Sequence, residues 1–172
     1  MEKSNIILIG MPASGKSTAG VILAKLLGMD FVDSDLLIQK RAKMTLPEII
    51  SEEGPQGFIE IENWFNSEIQ TENTVISTGG SAVYGIDAMR HFQEIGTIIY
   101  LEVDYYVISN RLMDIEGRGV VLKDGQTLKD LYAERIPLYE KYADITIHEK
   151  GGSLEEVVQK IASAWKKYRK DL

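Results

Sequence analysis

The chain has 172 residues, of which 44% are hydrophobic and 26% charged, and it contains no cysteine. This length and composition fit one domain of about 100–200 residues with its own core, so wholesale disorder is excluded; the missing thiols exclude a disulfide framework, a cysteine-ligated zinc site and a cysteine nucleophile. A formal charge of −7 argues against a general nucleic-acid binder but leaves room for a locally positive pocket that takes an anion.

Met1-Glu2-Lys3-Ser4 is polar, and the apolar run 6–9 stops at Gly10. A signal core needs about 7–15 apolar residues and a membrane span about 20, so a cytoplasmic chain without a membrane partner is expected. Residues 5–9 read as a buried parallel strand, because the run is continuously apolar and ends at glycine. Residues 16–27 place Val21, Ile22, Ala24, Leu26 and Leu27 along one helical face, with Gly28 as the stop. A strand at 31–33 and a helix at 36–42 follow. Pro47 opens a further helix at its first turn, ending near Gly54-Pro55-Gln56-Gly57, and 58–71 is helical again. Strands are expected at 74–77, 97–103 and 145–147, with helices at 86–94, 107–115 and 128–142. Pro137 should kink or restart the last of these. The stretch 116–125 is glycine-rich, charged and expected to be mobile, and Ser153 with Glu156 has the signature of a capping box. Five strands interleaved with helices imply an α/β fold with a mostly parallel sheet, a single domain over 1–172 in which 36–72 reads as a helical insertion.

Gly10-Met11-Pro12-Ala13-Ser14-Gly15-Lys16-Ser17 matches GxxxxGK[ST] between an expected strand and an expected helix, the context that gives this motif its meaning. Its glycines let successive backbone N–H groups turn toward an anion, and the helix N-terminus adds partial positive charge. Lys16 would reach the β- and γ-phosphates of a nucleotide, and the Ser17 hydroxyl would ligate Mg²⁺. Asp33 and Asp35 stand at the C-terminal end of a strand, where open α/β sheets bind ligands; two apart on a strand, both carboxylates would face one site. The other reading is a pair of turn aspartates capping the next helix.

The phosphate loop, Phe31-Val32-Asp33-Ser34-Asp35, Glu52-Glu53-Gly54, Phe58 with Glu62, Ser77-Thr78-Gly79-Gly80, Arg118 and Glu134-Arg135-Ile136-Pro137-Leu138-Tyr139 together resemble the shikimate kinase family. The resemblance runs from residue 5 to about 148 and implies a three-layer, five-stranded parallel sheet flanked by helices, P-loop and nucleoside-monophosphate-kinase-like, with a substrate-binding insertion and a lid at 116–125. It implies transfer of phosphate from ATP to a hydroxyl of a small carboxylate metabolite, shikimate to shikimate 3-phosphate, in aromatic amino-acid biosynthesis. ATP-binding positions would be Gly10, Ala13, Ser14, Gly15, Lys16, Ser17, Thr18, Arg111 against the adenine, and Arg118 from the lid. Asp35 would bind the acceptor hydroxyl and take its proton, joined by Phe58, Gly79, Gly80 and the carboxylate-pairing Arg135. Ser17 and Asp33 would serve Mg²⁺, and Lys16, Asp35 and Arg118 would be the catalytic set. Lys16, Arg111, Arg118 and Arg135 would gather at one rim, and a monomer is expected.

Three positions depart from the family pattern. Ile59 stands where a second carboxylate-binding arginine is expected, Ser81 replaces a third glycine, and the lid reads Arg118-Gly119-Val120-Val121-Leu122 without its usual proline. All three fall on the acceptor side. They motivate an alternative acceptor such as homoserine, with Arg41, Arg90 or Lys43 as substitutes for the missing arginine. A nucleotide-binding regulator without catalysis is a second alternative. His91 and His148 read as structural, Trp64 and Phe65 as core packing, and the basic run 166–170 as a solvated helix face.

Overall fold

The computed structural model describes residues 3–112 and 120–171. Within them lie β1 (Asn5–Ile9), α1 (Lys16–Leu27), β2 (Asp30–Asp33), α2 (Ser34–Ala42), α3 (Leu46–Ser67), β3 (Thr74–Ser77), a 3₁₀ turn (Ala82–Tyr84), α4 (Ile86–Ile95), β4 (Gly96–Val103), α5 (Tyr105–Arg111), α6 (Leu128–Tyr142), β5 (Ile145–Glu149) and α7 (Leu154–Lys170). The strands form one parallel sheet in the order β2-β3-β1-β4-β5. β1 is therefore central, and the loop leaving its C-terminal end opens where neighbouring strands diverge, the place at which such sheets bind ligands.

The strands read as unbroken apolar runs because both faces are covered. Successive side chains alternate between two cores. Ile7, Ile9, Ile76, Ile98 and Tyr100 pack with Met89 and Phe92 of α4, Ile108 of α5, and Leu131 and Tyr139 of α6. Ile6, Leu8, Val75, Ile99 and Leu101 pack on the other side with Leu23 of α1 and Val158, Ile161 and Trp165 of α7. A third cluster of Ile38, Leu46, Ile49, Phe58 and Val121 holds α2 and α3 together beside the sheet. Buried Asn5 ties the strand ends: its amide donates to Thr71 O at 2.9 Å and Ile95 O at 3.0 Å, while its oxygen accepts from Thr74 N–H at 2.9 Å.

Helix ends follow local chemistry. Capping boxes start α3 (Thr45 with Glu48), α6 (Thr127 with Asp130) and α7 (Ser153 with Glu156), and Gly28 closes α1. The break expected at 54–57 is a kink: only Gly54 leaves helical geometry, with φ 73° and ψ 172°, and the chain re-enters the helix at Pro55. This helix ends at Ser67, short of residue 71. Pro137 does not restart α6, which runs unbroken from Leu128 to Tyr142. The proline is on the exposed side, while Leu131, Arg135 and Tyr139 anchor the opposite face. The helix expected over 107–115 begins earlier, at Tyr105, and is described through Arg111; 113–115, and 116–119 of the lid stretch, lie outside the described residues.

Phe65 packs against the third cluster as expected, but Trp64 does not. Its side chain is 56% exposed and lines a surface groove of about 530 Å³ with Met44, Ile61 and Phe65. His91 bonds Ile69 O at 2.7 Å and His148 pairs with Glu102, so both have structural partners. No helix among the described residues is long and apolar enough to cross a membrane.

Candidate active site

The loop between β1 and α1 wraps the mouth of a cleft of about 710 Å³. Gly15 caps α1 in the left-handed region (φ 89°, ψ 11°), which glycine adopts without steric cost, and so turns the first N–H groups of the helix toward the cleft. Ala13 also has positive φ, at 62°, an uncommon state for a residue with a Cβ. Arg111 steadies that turn: its Nη1 donates to Ala13 O at 3.1 Å, while Nη2 pairs with Glu149 at 2.8 Å. Lys16 is buried and donates from Nζ to Gly10 O and Met11 O, each at 2.9 Å, and to Ser14 Oγ at 3.4 Å. Burial pushes its ammonium down to about 8, with the Asp35 carboxylate opposing the shift.

Ser17 Oγ donates to Asp33 Oδ2 at 2.6 Å, and Asp33 Oδ1 accepts from Leu36 N–H at 3.2 Å, capping α2. The expected pairing of Asp33 and Asp35 by strand alternation needs correction. The strand ends at Asp33, and Asp35 is in the first turn of α2. Asp33 turns to Ser17 and Asp35 to the wall formed by Gly79, so the two carboxylates serve adjacent parts of the cleft. A serine hydroxyl beside one carboxylate at the loop mouth suits Mg²⁺, which takes one or two carboxylates plus phosphate oxygens and retains water. Among the described residues no group of three or more His, Asp or Glu forms a fuller cage.

The opposite wall is made by Asp35, Leu46, Phe58, Gly79, Gly80 and Ser81. Gly79 is held to glycine by proximity: a Cβ there would lie 2.3 Å from Glu62 Oε1 and 2.6 Å from Asp35 Oδ1. Glu62 is 1% exposed, accepts a 2.5 Å hydrogen bond from Ser81 Oγ on one oxygen, and has no partner among the described residues on the other. Asp35 Oδ1 is likewise buried without a partner among the described residues. Burial raises both carboxyls above their usual range, and mutual repulsion adds to the rise of Glu62, as the Asp33 charge does for Asp35.

Arg135 does not stand at the rim with Lys16 and Arg111. It is 1% exposed, lies behind Gly80 with its guanidinium carbon 5.3 Å from the centre of the Tyr84 ring, and leaves Nη2 without a partner among the described residues. α6 carries it inward because residues 131, 135 and 139 share the buried face. Its Nε donates to Tyr84 Oη at 3.4 Å; the Tyr84 hydroxyl donates to Glu134, and Lys123 and Gln126 donate to the same carboxylate at 3.1 and 3.2 Å. The sequence motif holds Glu134 but neither Tyr84 nor the bond between the two, which lie 50 residues apart and share no local pattern.

The loop residues Gly10, Ala13, Ser14, Gly15, Lys16, Ser17 and Thr18 are thus together, with Arg111, Asp35, Phe58, Gly79 and Gly80 around the same cleft. Arg118 lies outside the described residues. Ile59 packs against the third apolar cluster. None of the proposed substitutes lines the cleft: Arg41 stacks over Phe65 at 5.7 Å, Arg90 meets Asp87 at 3.7 Å on the surface, and Lys43 ends α2 in the left-handed region.

A family model described as shikimate kinase matches residues 12–166. The chain is 41% identical over 150 residues to a shikimate kinase of Pasteurella multocida, covering 85% of this chain and 86% of that protein. It is 36% identical over 166 residues to the shikimate kinase of Thermodesulfovibrio yellowstonii, covering 95% of each. In structure it is similar to a shikimate kinase from Acinetobacter baumannii solved in complex with shikimate, with TM-score 0.88, 31% identity and coverage of 96% and 94%. A gluconokinase from Sinorhizobium meliloti, at 13% identity and TM-score 0.62 with coverage of 98% and 95%, shares the fold.

Proposed function

This chain belongs to the shikimate kinase family, and from that premise we propose that its cleft transfers the γ-phosphoryl group of ATP to a ring hydroxyl of shikimate. The observation that carries the reading is the convergence of the phosphate loop with Asp35, Gly79 and Gly80 on one cleft. Phosphoryl transfer asks the protein mainly to position the two substrates and to stabilise charge. Backbone N–H groups of the loop and Lys16 hold the phosphates. Asp35 accepts the hydroxyl proton as the acceptor oxygen bonds to the γ-phosphorus and the bond to the β,γ-bridging oxygen breaks, giving shikimate 3-phosphate and ADP. Arg135 pairs with the acceptor carboxylate through its unpartnered Nη2. Arg111 offers its guanidinium plane to the adenine, and Arg118, assigned by resemblance, covers the phosphates from the lid.

Ser17 and Asp33 would hold Mg²⁺. The ion supplies neutralisation of charge on the β- and γ-phosphates when bound. α2 and α3 form the acceptor-binding insertion, residues 116–125 the lid, and the protein works as a cytoplasmic monomer. The test is coupled measurement of ADP release with shikimate, homoserine and no acceptor. Rapid release with shikimate supports the reading, whereas turnover of homoserine without shikimate, or nucleotide binding without any turnover, overturns it.

A further inference from the structure

The sheet order divides the cleft. Asp35 and Gly79 follow β2 and β3, whereas Arg111 follows β4 at the end of α5, and Glu149 ends the edge strand β5. In this second half the cleft is lined by Ala13, Arg111, Glu149, Gly152, Leu154 and Val157. The reading above gives the arginine a nucleobase to stack on and assigns nothing to the glutamate beside it.

Arg111 ends a helix of seven residues with 40% of its side chain exposed, and a long stem in that position has many rotamers open to it. Glu149 removes that freedom. Its own side chain is only 11% exposed, and it accepts from Nη2 at 2.8 Å on one oxygen and from Nη1 at 3.5 Å on the other, the two-pronged match of a planar fork to a carboxylate. Nη1 also donates to Ala13 O at 3.1 Å. The N–H groups of a guanidinium lie in its plane, so these bonds use its edge and leave its two faces. Among the described residues no aromatic ring covers either face. A guanidinium held by its edge, in a cleft that Leu154 and Val157 also line, is a platform for a flat heterocycle. The phosphate loop has bonds of its own: Ser14 N–H donates to Met11 O at 3.1 Å, and Lys16 ties Gly10 O and Met11 O.

Resting on the kinase reading above, we infer that Glu149 is a positioning residue for base recognition: it holds the Arg111 guanidinium in the plane on which the nucleobase of the phosphoryl donor stacks, without touching the base itself. An exposed ion pair alone is worth little. This one matters because the arginine is ordered before the nucleotide arrives, so binding does not have to order it. Glu149 therefore serves affinity for the base and not for the phosphates.

The experiment is calorimetry with ADP and with pyrophosphate, which carries two phosphates and no base, both with Mg²⁺, on the full-length protein and on Glu149→Gln, Glu149→Ala, Arg111→Ala and the double alanine variant. Ordering one long side chain on binding costs about threefold to tenfold in affinity. The expected result is that Glu149→Ala weakens ADP by about that factor and leaves pyrophosphate unchanged, while Glu149→Gln, which keeps an acceptor oxygen for Nη2, recovers part. Arg111→Ala weakens ADP at least as much, and adding Glu149→Ala in that background costs nothing further. In steady-state kinetics KM for ATP rises in Glu149→Ala by a similar factor while KM for shikimate stays constant. Equal weakening of ADP and pyrophosphate would mean that Glu149 supports the loop or the fold. A further loss in the Arg111→Ala background would mean that it meets the base directly, and no weakening of ADP would mean an idle ion pair. Each of these overturns the assignment, as does a wild type that binds ADP no better than pyrophosphate. The binding measurements need no acceptor: a wild type that prefers ADP to pyrophosphate yet phosphorylates no shikimate refutes the function proposed above, and the variants still decide Glu149.

Discussion

On the nucleotide side of the cleft, the reactive groups hold one another. Lys16 bonds two loop carbonyls, Ser17 bonds Asp33, Asp33 caps α2, and the left-handed turn at Ala13 is braced by Arg111, itself paired with Glu149. On the wall proposed for the acceptor, Asp35, Glu62 and Arg135 each bury an atom that has no partner among the described residues. The loop is shaped in advance for phosphates that every nucleotide shares. On the reading proposed above, the other wall keeps its polar capacity in reserve for one small molecule, and the cost of that reserve falls on stability. Specificity therefore concentrates where the fold is least content with itself.

The sharpest way to break this contrast is Asp35→Asn. Loss of the proton acceptor is expected to lower kcat by about 10²–10⁴-fold, while removal of a buried, unpartnered carboxylate raises the melting temperature. A fall in both would show that Asp35 is a structural residue. Lys16→Met should lower kcat by about 10²–10³-fold and weaken ATP without changing the affinity for acceptor; an equal effect on both substrates, in steady-state kinetics, would erase the distinction between the two sides. Ile59→Arg tests the acceptor wall from the gain side, with about tenfold tighter binding of shikimate expected from a new charged hydrogen bond and no change for ATP. If shikimate binds no better, position 59 does not face the acceptor.

The smallest effect is the dependence of stability on pH. Burial raises Glu62 from its usual 4.5 to about 8, so between these values the folded protein binds more protons than the unfolded chain. Stability is then fully present on the acidic side and is lost as pH rises through that window, and Asp35 acts in the same direction. Urea midpoints on the two sides of neutrality should show the decline, and Glu62→Gln should flatten it. A slope that survives the substitution would place its origin elsewhere.

The two sides were also unequally legible. The phosphate loop is eight consecutive residues whose spacing is its chemistry, and the apolar strands beside it could be placed from their runs alone. Asp33 and Asp35 were found at the right end of the sheet, but alternation along a strand misjudged how they separate, because the helix begins between them. Arg135 was recognisable by motif, whereas its complete burial depends on which face α6 turns to the core. The bond from Ser81 to Glu62 spans 19 residues and joins two ordinary polar side chains, and no periodicity announces such a contact. Residues that act through a partner far along the chain leave little mark on local sequence.

Glu134 and Arg135 are neighbours on α6, yet one side chain reaches the exposed Lys123 and the other the buried floor, with the Tyr84 hydroxyl between them. That phenol accepts from the arginine and donates to the glutamate. An acceptor carboxylate paired with Arg135, as proposed above, would compete with Tyr84 for the guanidinium. Linkage is reciprocal: on the proposed reading, any effect of the acceptor on Lys123 is matched by an equal effect of Lys123 on acceptor affinity. One tyrosine hydroxyl thus stands between the buried Arg135 and the carboxylate that holds Lys123, within the stretch proposed as the lid.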